Sequence, residues 1–145
     1  MGTQVSSVLE HKGYAVVTVG PDQAVTSVVK VLADNRIGAV PVIGDDGQIM
    51  GIISERDIIR AISEYADEAL RLPASRLMTR EVQTCSFEDQ LVDLMEVMTR
   101  ERIRHLPVLR NGALHGIVSI GDVVKQRLEE VHSEAEALRR YITSP

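Results

Sequence analysis

The sequence predicts an α+β fold in which a β-α-β-β-α unit is written twice, with a short helix before the first copy and a long helix after the second. Three observations carry the prediction. First, a set of residues recurs about 65 positions apart. Thr18, Pro41, Gly51, Ser54 and Asp57 are answered by Thr84, Pro107, Gly116, Ser119 and Asp122. Second, an apolar stripe at helical spacing precedes each Pro-containing β-rich run. Third, each such run turns back at a hairpin-forming pair, Asp46-Gly47 or Asn111-Gly112. Two copies are too few for a solenoid. A half of about sixty residues buries its surface poorly alone, so the halves are expected to share a core about an internal two-fold.

The elements follow in order. Val5, Val8 and Leu9 lie on one face of a helix over residues 4–12, and Gly13 stands where it should end. Val16–Val19 reads as a short strand. A helix opening at Pro21-Asp22 carries Val25, Val28, Val29 and Leu32, an i, i+3, i+4, i+7 stripe. Ile37–Ile43 and Gln48–Ser54 form a hairpin, and a helix with Ile58, Ile59 and Ile62 starts at Asp57. The second copy repeats this: a strand near Val82, a helix burying Leu91, Leu94, Met95 and Met98, and a hairpin of Arg104–Leu109 and Leu114–Ser119. Its closing helix starts near Asp122. The charged stretch 63–80, with Pro73 and Ser75, is expected to be a packed link between the copies.

The last segment differs from its counterpart. Val124, Leu128, Val131, Ala135, Leu138 and Ile142 alternate in steps of four and three, an a/d seam of almost three heptads. It either packs on its own domain or meets another molecule.

Composition excludes several functions. Of 145 residues, 44% are apolar but only 3% aromatic, with no Trp, so the core is aliphatic and stacking platforms for single-stranded nucleic acid are missing. A net charge of −5 argues against a phosphate-backbone partner. No apolar run reaches the roughly 18 residues of a membrane span, and the N-terminus does not read as a signal peptide. Cys85 is the single cysteine, which excludes an internal disulfide and points to a cytoplasmic protein.

Two Ser-x-x-Asp pairs, Ser54/Asp57 and Ser119/Asp122, stand where a strand ends and a helix begins. One reading is a capping box, although Asp is a short arm for a reach usually made by Glu or Gln. The other is a ligand grip: a carboxylate can accept both hydroxyls of a ribose diol, and helix N–H groups favour an anion. Arg36, Arg102, Arg104, His105 and Arg56 supply nearby cationic groups. Arg104 is the most telling, because its counterpart is Gly38; one cleft can clamp a phosphate bidentately and the other offers room. His11, His105, His115 and His132 are too scattered for a metal centre, Cys85 reads as a small apolar filler, and no catalytic motif occurs.

The doubled pattern Thr-Val, Ile-x-x-x-Pro-Val, Gly-Ile-hydrophobic-Ser-x-x-Asp resembles the CBS domain, named for cystathionine β-synthase. The likeness covers residues 14–63 and 78–128. It leaves an N-terminal helix (1–13), a connector (64–77) and a C-terminal helical extension (129–145), as in a stand-alone CBS pair. The resemblance implies two clefts between the halves and a regulatory ligand, AMP, ADP, ATP, NAD or S-adenosylmethionine, with no cofactor required and no catalysis. It also implies a homodimer and a partner protein that reads the bound state, with neither nucleic acid nor membrane as partner. On matching positions, Asp57 and Asp122 would hold ribose hydroxyls, with Ser54 and Ser119 at sugar or phosphate. Thr18 and Thr84 would line the opposite wall, Arg104 would hold phosphate, and the first copy departs from the pattern with Gly38 at that position, where Arg56 would compensate; Ala39 and His105 would add ligand contacts. Pro41 and Pro107 complete the expected contacts, and Ile37, Val40, Ile52, Ile103, Leu106 and Ile117 would rest against the adenine. The alternative expectation is a ligand-free structural module acting through its C-terminal helix.

Overall fold

A computed structural model describes residues 2–143. Met1 of the expected N-terminal segment, and Ser144 and Pro145 of the expected C-terminal extension, lie outside the described residues. The elements are α1 (Val5–Lys12), α2 (Val25–Asn35), β1 (Ala39–Ile43), β2 (Ile49–Ser54), α3 (Glu55–Tyr65), a 3₁₀ turn (Ala66–Arg71), α4 (Ala74–Leu77), α5 (Leu91–Glu101), β3 (His105–Arg110), β4 (Ala113–Ser119) and α6 (Ile120–Thr143). Both sheets are two-stranded, β1 with β2 and β3 with β4.

The first strand of each copy shrinks to a single parallel bridge, Val19 with Val42 and Cys85 with Val108. A proline explains both truncations. Val19 N donates to Pro41 O and Ile43 N to Val19 O. The preceding rung would need an N–H at position 41, which proline lacks. Cys85 N donates to Pro107 O in the same way, and Pro107 removes the same rung. Val17 is accordingly exposed.

Helices α2 and α5 both stop at an arginine in the left-handed region, Arg36 at φ 53° and Arg102 at φ 55°. Glycine is the usual residue there. The next residue compensates: Ile37 N donates to Leu32 O and Ile103 N to Met98 O, and each isoleucine packs on the nearby core. Arg36 and Arg102, expected as cationic groups around the clefts, therefore have helix termination as their structural role. At the second hairpin, Asn111 (φ 53°) and Gly112 (φ 80°) are both left-handed, as a type I′ turn requires.

The chain divides into two compact units, and these are not the two sequence copies. One unit gathers the N-terminal segment through Tyr14, Cys85–Val108 and the chain from Gly116 onward; the other gathers Ala15–Thr84 with Leu109–His115. Among the described residues the buried side chains gather into a cluster within each unit. In the first unit Val5, Val8 and Leu9 join Leu91, Leu94, Met98, Leu106, Val118 and Val123. In the other, Ala74 and Met78 join Val25, Val28, Leu32, Val40, Val42, Ile53 and Ile58.

Each core is thus completed by a segment that precedes the other copy, and the two covering segments follow one plan. Val25 N, at the start of α2, donates to Leu72 O (2.9 Å), and Ala24 bridges Pro73. Leu91 N, at the start of α5, donates to Thr3 O (2.9 Å), and Gln90 bridges Gln4. Neither helix has a side-chain N-cap, so a neighbouring strand-like segment satisfies the orphan donor instead. Further along, the segments press on equivalent glycines. A Cβ on Gly51 would meet Met78 Sδ and Thr79 O at 2.8 Å, and one on Gly116 would meet Leu9 Cδ1 at 3.0 Å. The link around residues 63–80 is packed, as expected from the sequence, but its α4 and Met78 serve as this cover.

Candidate functional site

Both Ser-x-x-Asp pairs are capping boxes. Ser54 N donates to Asp57 Oδ2 (2.8 Å) and Asp57 N to Ser54 Oγ (3.3 Å). Ser119 N donates to Asp122 Oδ2 (2.9 Å) and Asp122 N to Ser119 Oγ (3.1 Å). Asp, though a short arm, makes the reach: one oxygen of each carboxylate arrives at hydrogen-bond distance of the cap N–H. Capping is nevertheless compatible with a ligand, since it occupies Oδ2 and fixes the direction of Oδ1.

The residues before each hairpin lock to these helix starts. Glu55 N donates to Gly38 O (2.9 Å), and Ile120 N donates to Arg104 O (2.8 Å). Gly38 and Arg104 are therefore structural equivalents, as the sequence predicts, each beside the first turn of a capped helix. The Arg104 side chain is exposed, as is that of Arg56 in the first turn of α3; His105 is half-buried. Ala39, Pro41 and Pro107 have buried side chains, so what they offer a ligand is backbone. Val40 and Leu106, expected beneath an adenine, are core residues and unavailable for it. Ile37, Ile52, Ile103 and Ile117 stay half-buried. Thr18 and Thr84 are exposed on the segments leading into the single bridges.

Two neighbours of these acids escaped sequence reasoning. In the unit containing Asp57, Thr79 lies antiparallel to Ile52: Ile52 N donates to Thr79 O, Thr79 N to Ile52 O (2.9 Å), and Thr79 Oγ1 to Asp57 Oδ1 (3.4 Å). In the unit containing Asp122, Lys12 Nζ donates to Ile117 O (2.8 Å) and to Asp122 Oδ2 (2.6 Å). Ile117 is the repeat counterpart of Ile52. The Lys12 ammonium thus takes the Ile117 carbonyl as the Thr79 N–H takes that of Ile52, but it shares the cap oxygen Oδ2 of Asp122, whereas the Thr79 hydroxyl meets the other oxygen of Asp57, Oδ1. Burial pushes the Asp122 carboxyl up, but the Lys12 ammonium and the Ser119 N–H and hydroxyl outweigh it, leaving it below the usual carboxylate range. Val8, His11, Lys12, Asp122, Lys125, Gln126 and Glu129 line a cleft of about 210 Å³ there. Ligand pockets usually span roughly 300–1,000 Å³, so this one is small for a nucleotide.

Cys85 is buried, and burial first, with the Asp89 charge second, pushes its thiol up to about 12. It stays a neutral apolar filler. Among the described residues no group of three His, Cys, Asp or Glu side chains comes together, and no helix is long and apolar enough to cross a membrane.

A doubled hairpin-and-helix unit with a capped, acid-tipped helix start in each copy defines a class of tandem small-domain protein. The chain belongs to the CBS domain family, whose model matches residues 9–64 and again 74–129. Each match begins within a covering helix, α1 or α4. A crystal structure of a CBS-domain containing protein from Agrobacterium tumefaciens superposes with a TM-score of 0.85 at 44% identity, covering 88% of this chain and 95% of that one. A mitochondrial CBS domain-containing protein of Arabidopsis thaliana is 32% identical over 97% of this chain and 72% of its own length. An inosine-5′-monophosphate dehydrogenase of Methanocaldococcus jannaschii is 30% identical over 77% of this chain but only 22% of the enzyme.

Proposed function

We propose that this CBS pair is a regulatory module that binds an adenine nucleotide or adenosyl compound at its two acid-tipped helix starts and passes the occupancy to a partner protein. The observation that carries the reading is the division of the Asp57 carboxylate: Oδ2 is held by the cap, while Oδ1 meets Thr79 Oγ1 at 3.4 Å. That second bond is long and weak, so a ribose diol replaces it at little cost. The α3 N-terminus with Arg56, and Arg104 in the other copy, suit the phosphate. Ile37 and Ile52, or Ile103 and Ile117, supply a half-buried aliphatic wall for the adenine. Similarity to a segment of a nucleotide-converting dehydrogenase supports a controlling role, as does the absence of a catalytic motif from the sequence. The single thiol suits a cytoplasmic setting.

Control requires the ligand to prefer one shape of the module, since equal affinity for two shapes shifts nothing. Thermal unfolding with AMP, ADP, ATP, NAD and S-adenosylmethionine tests the reading. A ligand at about a hundred times its dissociation constant adds about 2.7 kcal/mol. At least one of these compounds should raise the melting temperature, and Asp57→Ala should reduce the rise. A flat response to all five overturns the proposal.

A second reading, an assembly module working through α6, is favoured by the exposure of its seam: Leu128 is 64% and Ile142 70% exposed, with Val124, Val131 and Leu138 also open. A second copy of this chain is the simplest occupant, which makes the module a homodimer. The two readings are compatible, because the seam and the helix starts use different residues.

A further inference from the structure

We propose that α6 pairs with α6 of a second copy in parallel and in register, and that Glu134 and Arg139 set this orientation by meeting across the seam. The inference rests on the assembly reading above, and it adds which way the two chains point.

The open face of α6 supplies the geometry. Val124, Leu128, Val131, Leu138 and Ile142 are exposed along one line of the helix. The other side is occupied within the same unit: Val123 is buried, and Asp122, Gln126 and Glu129 line a cleft with Val8 and His11 of α1. Steps of four and three place Leu128, Ala135 and Ile142 at the a positions of a heptad and Val124, Val131 and Leu138 at the d positions. Lys125, His132 and Arg139 then fall at e, and Arg127, Glu134 and Tyr141 at g. Inside the helix Arg127 pairs with Glu130 (2.7 Å) and His132 lies beside Glu136 (3.4 Å). Glu134 and Arg139 take part in neither pair, and both are exposed.

Charge decides between the two ways of aligning the seams. In a parallel pair each g side chain faces the e side chain of the next heptad on the other helix. Glu134 then meets Arg139 of the second copy, and symmetry repeats the attraction. Arg127 faces His132 of the second copy, and each of these has its own acid within its helix. In an antiparallel pair that overlaps the whole seam, e faces e and g faces g. Lys125 then meets Arg139 of the second copy, and Glu134 meets another Glu134. Like charges face each other there, where the parallel pair has two attractions. The parallel order also bears on the sites, because it sets both Asp122 helix starts at one end of the seam. Antiparallel order would part them by the length from Val124 to Ile142, about 27 Å at about 1.5 Å per residue.

Sedimentation equilibrium of the full chain and two charge variants tests this. Glu134→Lys puts a like charge opposite Arg139 of the second copy, and Arg139→Glu puts one opposite Glu134. Each should weaken self-association about tenfold, through two attractions lost and two repulsions gained. An equimolar mixture of the two variants should regain the parent's mass, because each supplies the charge the other lacks. Leu138→Cys, once oxidised, should join two chains by a disulfide, since equal d positions face each other only in the parallel register. The parent, whose one cysteine is the buried Cys85, should give no such link. An antiparallel pair behaves otherwise: Arg139→Glu strengthens association by facing Lys125, Glu134→Lys leaves it unchanged, and Leu138→Cys stays unlinked. That outcome overturns the orientation and spares the assembly reading. Unchanged association in both charge variants likewise overturns the role given to Glu134 and Arg139. A parent that stays monomeric at every concentration, or whose mass is unmoved by Leu138→Glu, overturns the inference together with the assembly reading.

Discussion

Gly51 and Gly116 occupy the same place in the repeated motif, yet different atoms crowd them. At Gly51 an added Cβ would meet the backbone oxygen of Thr79 as well as the Met78 side chain, all at 2.8 Å. That oxygen accepts from Ile52 N and cannot retreat without breaking the bridge. At Gly116 the obstacle is the methyl end of Leu9 at 3.0 Å, which can shift by a small rotation. Gly51→Ala is therefore expected to destabilise by about 1–3 kcal/mol, in line with overpacking, and Gly116→Ala by clearly less. Urea unfolding of the two variants checks this, and equal losses would contradict the difference between backbone and side-chain cover. Gly51→Ala should also weaken the Thr79 contact to Asp57, since both depend on one bridge.

Helix α6 carries a row of open apolar side chains, and its fate depends on that outward face. Val123 alone is fully buried along its length, while the seam from Val124 to Ile142 faces water. Leu138→Glu should leave the melting temperature of the folded chain within the small range of surface substitutions. It should also reduce the mass seen by light scattering relative to the parent. An unchanged mass would remove the seam from any assembly. This seam, the amphipathic stripes of α1, α2 and α5, and both hairpin turns were legible in the sequence because each is a local period or a turn dipeptide. The covering segments were not. Helix α4 has four residues, too few to show a period, and Lys12 meets Asp122 across 110 residues of sequence. The shrunken first strands also escaped notice, although Pro41 and Pro107 hold the reason in plain view. At the site, the paired acids and the equivalence of Gly38 with Arg104 were readable, but not what stands opposite each acid.

At the scale of the whole chain, two copies with matching caps end with differently dressed acids, and acid stability should reveal it. The Asp122 carboxyl is below its usual range when folded and near about 3.9 when unfolded. The folded chain therefore holds that proton less readily than the unfolded one. The resulting stability is fully present above about pH 5 and is lost as pH falls through the folded value. Asp122→Asn keeps an oxygen able to accept from Ser119 N and removes the charge, so it isolates the ion pair with Lys12. At pH 7 the parent should exceed this variant by about 1 kcal/mol or less, the range for a pair open to solvent. The gap should close as both are unfolded by urea at successively lower pH. Lys12→Met should reproduce the same pH-dependent loss, and the double variant should cost no more than either alone, because the two side chains share one interaction. A gap that persists undiminished at pH 3, or losses that simply add, would mean that Asp122 stabilises the fold through its cap alone and that Lys12 lies beside it without holding it.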